Sequence, residues 1–147
     1  MCIRDRVKGA FHGRTEKPAL YSDSTRKTYV QHLASFRGEH SVIAVAPYDM
    51  DALRQAFAEA DSNGWFIEAM FLEPVMGEGD PGRSVPVAYY NLARDLTRAH
   101  GALLLVDSIQ AGLRATGYLS VVDYPGLRPS HAPAIETQST RPNPGTF

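Results

Sequence analysis

The chain has 147 residues, with 15 Lys+Arg against 16 Asp+Glu and a formal net charge of −1. That length suits one domain or a piece of a larger one, and the charge balance argues against a nucleic-acid binder, which carries a basic excess. No apolar run approaches the ~18 residues of a membrane span, and the single cysteine, Cys2, cannot form an internal disulfide.

In chain order, the first six residues lack the apolar core of a signal peptide, which makes the cytoplasm the expected location. Residues 1–40 are polar and mixed, with Gly9, Gly13 and Pro18 as breakers. They are expected to be loop, with one short helix around Thr25–Phe36. Ser41–Ala46 is a short apolar run rich in β-branched residues and reads as a buried strand ended by Pro47. Asp49 then caps a helix reaching about Asp61, with Met50, Leu53, Phe57 and Ala60 on one apolar face. Asn63-Gly64 closes it. Phe66–Leu72 is a second strand, and a glycine-rich loop over Gly77–Gly82 follows. Pro86 fits the first turn of a second helix, whose buried face is Val85, Tyr89, Leu92, Leu96 and Ala99. His100-Gly101 ends that helix, and Ala102–Val106 is a third strand, apolar throughout. The alternation of strands and helices predicts a parallel α/β sheet with right-handed crossovers. The last 23 residues hold five of the ten prolines and read as irregular.

Ligands in such sheets bind beyond the carboxyl ends of the strands. Two segments fall there, Glu73–Gly79 and Asp107–Gln110. Gly77, Gly79 and Gly82 have the spacing G-x-G-x-x-G, and Asp107 lies 25 residues beyond, so a dinucleotide site is one reading. Against it, Glu78 and Asp80 would repel a pyrophosphate, and Arg83-Ser-Val-Pro precedes any helical periodicity. A turn-rich connection is the competing reading. Asp107 is costly to bury without a cation or hydrogen-bond donors. It reads either as a helix cap or arginine partner, or as the counter-charge of a cationic heterocycle, with Gln110 able to donate to an oxygen of the same ligand.

Five motifs occur in one order: Phe11-His12-Gly13-Arg14-Thr15; Glu73-Pro74-x-x-Gly77-Glu78-Gly79; His100–Leu104; Asp107-x-x-Gln110-x-Gly112; and Thr116-Gly117. Together they resemble the class III aminotransferases, pyridoxal-phosphate enzymes that include ornithine and acetylornithine aminotransferases. The resemblance covers about residues 9–126. It implies part of the large domain of a fold-type I transferase, with an atypical stretch at 1–8 and a Pro/Ser/Thr-rich tail at 127–147. The implied reaction moves an amino group between an amino acid or amine and a 2-oxo acid, in a homodimer. The resemblance also assigns roles. Asp107 would pair with the protonated pyridine nitrogen of pyridoxal 5′-phosphate, and Gln110 would bond near the phenolic oxygen. Ile109 and Phe11 would cover the two ring faces, with His12 beside them. Glu73 and Glu78 would lie near substrate. Without the motif, Phe11 reads as a core aromatic, His12 as a surface histidine and Glu78 as a solvated acid. No metal site is expected.

Three departures from the family pattern matter. Ser108 stands where the family usually has Glu in Asp-Glu-x-Gln. The arginine of Gly-Phe-Gly-Arg-Thr-Gly is displaced to Arg114. Ile135–Ser139 approaches the turn that carries the Schiff-base lysine, but Thr140 occupies the lysine position and no lysine follows Lys27. The family's phosphate-gripping loop and small domain have no counterpart here. The expectation is a partial chain that is inactive by itself. A lysine-less paralogue serving as a binding or dimerising module is the alternative.

Overall fold

In the computed structural model, described over residues 2–34, 42–112, 117, 123 and 136–138, the apolar runs lie side by side as parallel strands. The elements are β1 (Cys2–Val7), α1 (Glu16–Tyr21), α2 (Asp23–His32), β2 (Val42–Val45), α3 (Met50–Ser62), β3 (Phe66–Leu72), α4 (Val87–Ala99), β4 (Leu103–Val106) and β5 (Glu136–Gln138). The sheet order is β2-β1-β3-β4-β5, and every pairing is parallel. From β1 the chain moves outward to β2, then returns past β1 to β3 and continues outward. The direction of winding therefore reverses between β1 and β3.

Helices cover both faces. Met70 and Leu72 of β3 are in register with Leu104 and Val106 of β4. These four share a buried cluster with Val7, Leu53 and Phe57 of α3, and Tyr89, Tyr90 and Ala93 of α4. Arg6, Phe71 and Leu105 are aligned on the other face. There Tyr21, at the end of α1, stacks on Phe71 with ring centroids 4.7 Å apart. The Arg6 guanidinium is buried and paired with the Asp23 carboxylate at the start of α2.

The helix ends follow the expected devices. Asp49 Oδ1 accepts from the N–H groups of Asp51 and Ala52 at 3.0 and 2.9 Å. Gly64 and Gly101 adopt φ of 64° and 68°. Trp65 N–H then reaches Ala60 O, and Ala102 N–H reaches Thr97 O, both at 2.8 Å, closing each helix with a Schellman turn.

Several expectations are corrected. Residues 2–7, read as loop, form β1, an interior strand between β2 and β3, because the Arg4-Asp5-Arg6 run hides an otherwise apolar strand. The helix expected around Thr25–Phe36 starts earlier, and a second, α1, precedes it. Pro86 is the N-cap of α4 rather than part of its first turn. Ala99 is exposed, and the buried face of α4 is Tyr89, Tyr90, Ala93 and Thr97. The tail contributes β5, paired with β4.

Candidate functional site

Three loops leave the carboxyl ends of neighbouring strands and meet there: Gly9–Arg14 after β1, Glu73–Gly79 after β3, and Asp107–Gly112 after β4. Their meeting point is the place where the winding reverses, which is where open parallel sheets hold ligands.

Asp107 is the first residue beyond β4 and is 4% exposed. Its N–H bonds to Leu72 O at 2.8 Å, which ties the end of β4 to the end of β3. Its Oδ2 accepts from His12 Nδ1 at 2.9 Å, and its Oδ1 accepts from the N–H of Ile109 at 3.2 Å. An ionised carboxylate only accepts, so Nδ1 is the donor of this pair. Among the described residues, two acceptor positions of about four on the carboxylate remain free. The His12 ring is buried, tilted against Phe71 at 5.3 Å, and its Nε2 has no hydrogen-bond partner among the described residues. Its peptide N–H is held by Ser22 Oγ at 2.8 Å, which itself donates to Gly13 O at 2.9 Å.

Ile109 is 64% exposed, an apolar side chain presented to solvent one residue before Gln110. Gln110 lies across Gly77, where a Cβ would come within 2.4 Å of its Cγ. Phe11 is partly buried, with the Arg14 guanidinium 5.8 Å from its ring centre. Glu73 is buried and bonds to two peptide N–H groups, while Glu78 is exposed on the same loop. Burial pushes the Glu73 carboxyl above its ordinary value, opposed by the Phe11 and Gly77 N–H groups and by His12, with Asp107 adding to the rise.

The structure thus brings Phe11, His12, Glu73, Asp107, Ile109 and Gln110 to one edge of the sheet. Sequence reasoning did not single out Ser22, Phe71 or Gly9, which position them; the Ser22-Asp23 pair between two helical stretches is the signal that was there to find. Arg114 and Thr140 lie outside the described residues. No group of three or more metal-ligating side chains occurs among the described residues. No helix among them is long and apolar enough to cross a membrane.

The Gly77–Gly82 loop has the geometry of a turn. Gly82 has φ of 84° and its N–H bonds to Met76 O at 3.0 Å. Val75 and Ser84 form an antiparallel bridge, and α4 opens only at Val87. No helix N-terminus follows the third glycine directly, as a pyrophosphate cradle requires.

The residues present suit a pyridine-type cofactor. A buried carboxylate with free acceptor positions can take a ring N–H, and the exposed Ile109 offers an apolar face beside it.

The family model for class-III aminotransferases matches residues 6–130. An acetylornithine aminotransferase of Mycolicibacterium smegmatis is 36% identical over 125 residues, covering 84% of this chain and 29% of that protein. The ornithine aminotransferase of Toxoplasma gondii, with pyridoxal phosphate at partial occupancy in its active site, superposes with a TM-score of 0.66. Its identity is 27% over 86% of this chain and 27% of that one. The N-acetylornithine aminotransferase of Stenotrophomonas maltophilia superposes with a TM-score of 0.55 and 25% identity, over 82% of this chain and 24% of that one. The chain therefore spans less than a third of the length of these relatives.

Proposed function

The chain belongs to the class-III aminotransferases, and from that premise we propose that it is the ring-holding part of a transaminase large domain. The reaction would move an amino group between an amino acid or amine and a 2-oxo acid, in a homodimer. The observation that carries this reading is Asp107, a buried carboxylate at the winding reversal with one oxygen fixed by His12.

Pyridoxal 5′-phosphate, when bound, supplies an electron sink for the electrons left when a substrate α-proton departs. The chain's own residues would do the following. Asp107 would accept the ring N–H and hold that proton at the pyridine nitrogen. His12, through Nδ1, would keep the carboxylate oriented to receive the ring N–H. Ile109 and Phe11 would cover the two ring faces and exclude water, and Gln110 would donate to the phenolic oxygen. Glu78, exposed on the Gly77 loop, would face an arginine that handles the substrate carboxylate. Covalent attachment of the cofactor needs a lysine, which neither Thr140 nor Arg141 can replace. The chain by itself is therefore proposed to bind without turning over.

Pyridoxamine 5′-phosphate is the probe that separates binding from covalent attachment, because it carries no aldehyde. Equilibrium dialysis should show saturable binding, weakened about tenfold or more by Asp107→Ala, as loss of a charge-assisted hydrogen bond predicts. A transaminase assay on the same protein should show no turnover. Equal binding by wild type and Asp107→Ala would overturn the site. A stoichiometric covalent adduct with pyridoxal phosphate, lost in Asp107→Ala, would overturn the inactivity. Thermal protection by NAD but not by pyridoxal phosphate would restore the dinucleotide reading.

A further inference from the structure

Glu73 is the first residue beyond β3 and is 3% exposed, so it does not present a free carboxylate to a substrate. Both of its oxygens accept from peptide N–H groups. Oε1 takes the N–H of Phe11 at 2.5 Å, and Oε2 takes the N–H of Gly77 at 2.7 Å. Those two donors belong to different loops, one following β1 and the other following β3. A second contact joins the same loops. Gly79 N–H donates to Gly9 O at 2.9 Å, and a Cβ on Gly79 would lie 2.4 Å from Gly9 Cα. The loops are therefore fastened at two points two residues apart. Gly77, in turn, lies directly against the Gln110 side chain.

We propose that Glu73 is a positioning residue: its carboxylate clips the Phe11 peptide to the Gly77 peptide and so sets the Phe11 ring and His12 against Asp107 and Gln110. What the clip positions rests on the cofactor-holding reading; the clip itself does not. A carboxylate suits this task because each of its oxygens accepts. A glutamine offers one acceptor and one NH2, so one of the two peptide donors would face another donor. An aspartate keeps both acceptors on a shorter stem. Burial makes the carboxyl harder to ionise, and protonation turns one acceptor into a donor. The clip therefore loosens as pH falls, beginning above the range of an exposed glutamate.

The test is solution NMR on the full chain labelled with nitrogen-15, without cofactor. In the wild type, the Phe11 and Gly77 amides should titrate together, with one midpoint above the ordinary value of 4.5. In Glu73→Gln that shared titration should vanish, and one of the two amides should exchange with solvent about tenfold faster or more, as loss of one buried acceptor predicts. Amides of α3 should exchange as before. Absence of the shared titration in the wild type overturns the clip, and this arm needs no variant to fold. Glu73→Asp should retain the paired titration; its loss there would show that the acceptor count is not what matters and would also overturn the clip. Pyridoxamine 5′-phosphate is then added. Positioning predicts binding weakened about fivefold or more in Glu73→Gln, while unchanged binding with a released amide overturns the positioning role. If the wild type binds no pyridoxamine phosphate, the cofactor reading fails, and the titration and exchange arms still decide the clip.

Discussion

Gly77 and Gly79 are two residues apart, yet a methyl group at each meets a different obstacle. At Gly77 it meets the Gln110 side chain, which is exposed and can swing away. At Gly79 it meets the backbone of Gly9, with Cα at 2.4 Å and O at 2.6 Å, where neither loop can yield without breaking the Gly79–Gly9 hydrogen bond. Gly79→Ala should therefore destabilise the chain by about 1–3 kcal/mol or more. Gly77→Ala should cost under about 1 kcal/mol while displacing Gln110. Urea unfolding of the two variants side by side checks this, and equal costs would contradict the close approach of the loops. The glycine spacing was legible in the sequence, but its purpose was not. What makes Gly79 obligatory is a backbone seventy residues earlier, which no local pattern encodes.

Among the elements, α3 and α4 carry their own boundary signals. Asp49→Ala removes the acceptor for two orphan N–H groups and should cost about 1 kcal/mol by denaturant melts. The far ends of the same helices are joined by His100. Its Nδ1 lies 2.8 Å from Leu96 O and its Nε2 lies 3.0 Å from Asp61 Oδ2, so both nitrogens face acceptors and the imidazolium satisfies both. The bond to the Leu96 carbonyl raises the His100 pKa, burial opposes it, and Asp61 raises it further. A histidine whose folded pKa is raised contributes stability that is complete below the unfolded value of 6.5 and is lost as pH rises through the folded value. The thermal midpoint should therefore fall as pH rises above about the unfolded value of 6.5, and Asp61→Asn should shrink that fall, the pair being worth under about 1 kcal/mol. An unchanged slope in Asp61→Asn would remove Asp61 from the account. The helix caps were readable because they are local; the pairing of Asp61 with His100 was not, because it depends on two helices packing side by side.

For the whole molecule, the decisive feature is the order β2-β1-β3-β4-β5. It places β1 and β3 at the centre and the reversal of winding between them. Met70 of β3 is fully buried in the cluster shared with α3 and α4, whereas Phe66, at the other end of the same strand, is half exposed. Met70→Ala should cost about 2–5 kcal/mol, and Phe66→Ala should stay within about 0.5 kcal/mol, measured by urea unfolding. Similar costs at both positions would mean that the core does not lie where the sheet and helices place it.

The sequence by itself determined the run from β2 to β4, both caps of α3, the C-terminal cap of α4, and Asp107 at the end of an apolar strand. Each of these is written in contiguous residues: a short apolar run, a helical period, an aspartate or glycine at a boundary. The five ordered motifs also pointed to the family. Only the tertiary structure decided that Cys2–Val7 is an interior strand, paired on both sides. Arg6 is tolerated there because its charge meets Asp23 from α2. Only the tertiary structure decided what Glu73 holds, by bringing the Phe11 and Gly77 peptides to its two oxygens. Parallel strands and the loops beyond them are joined by partners distant in sequence, so their pairing exists only once the chain has folded.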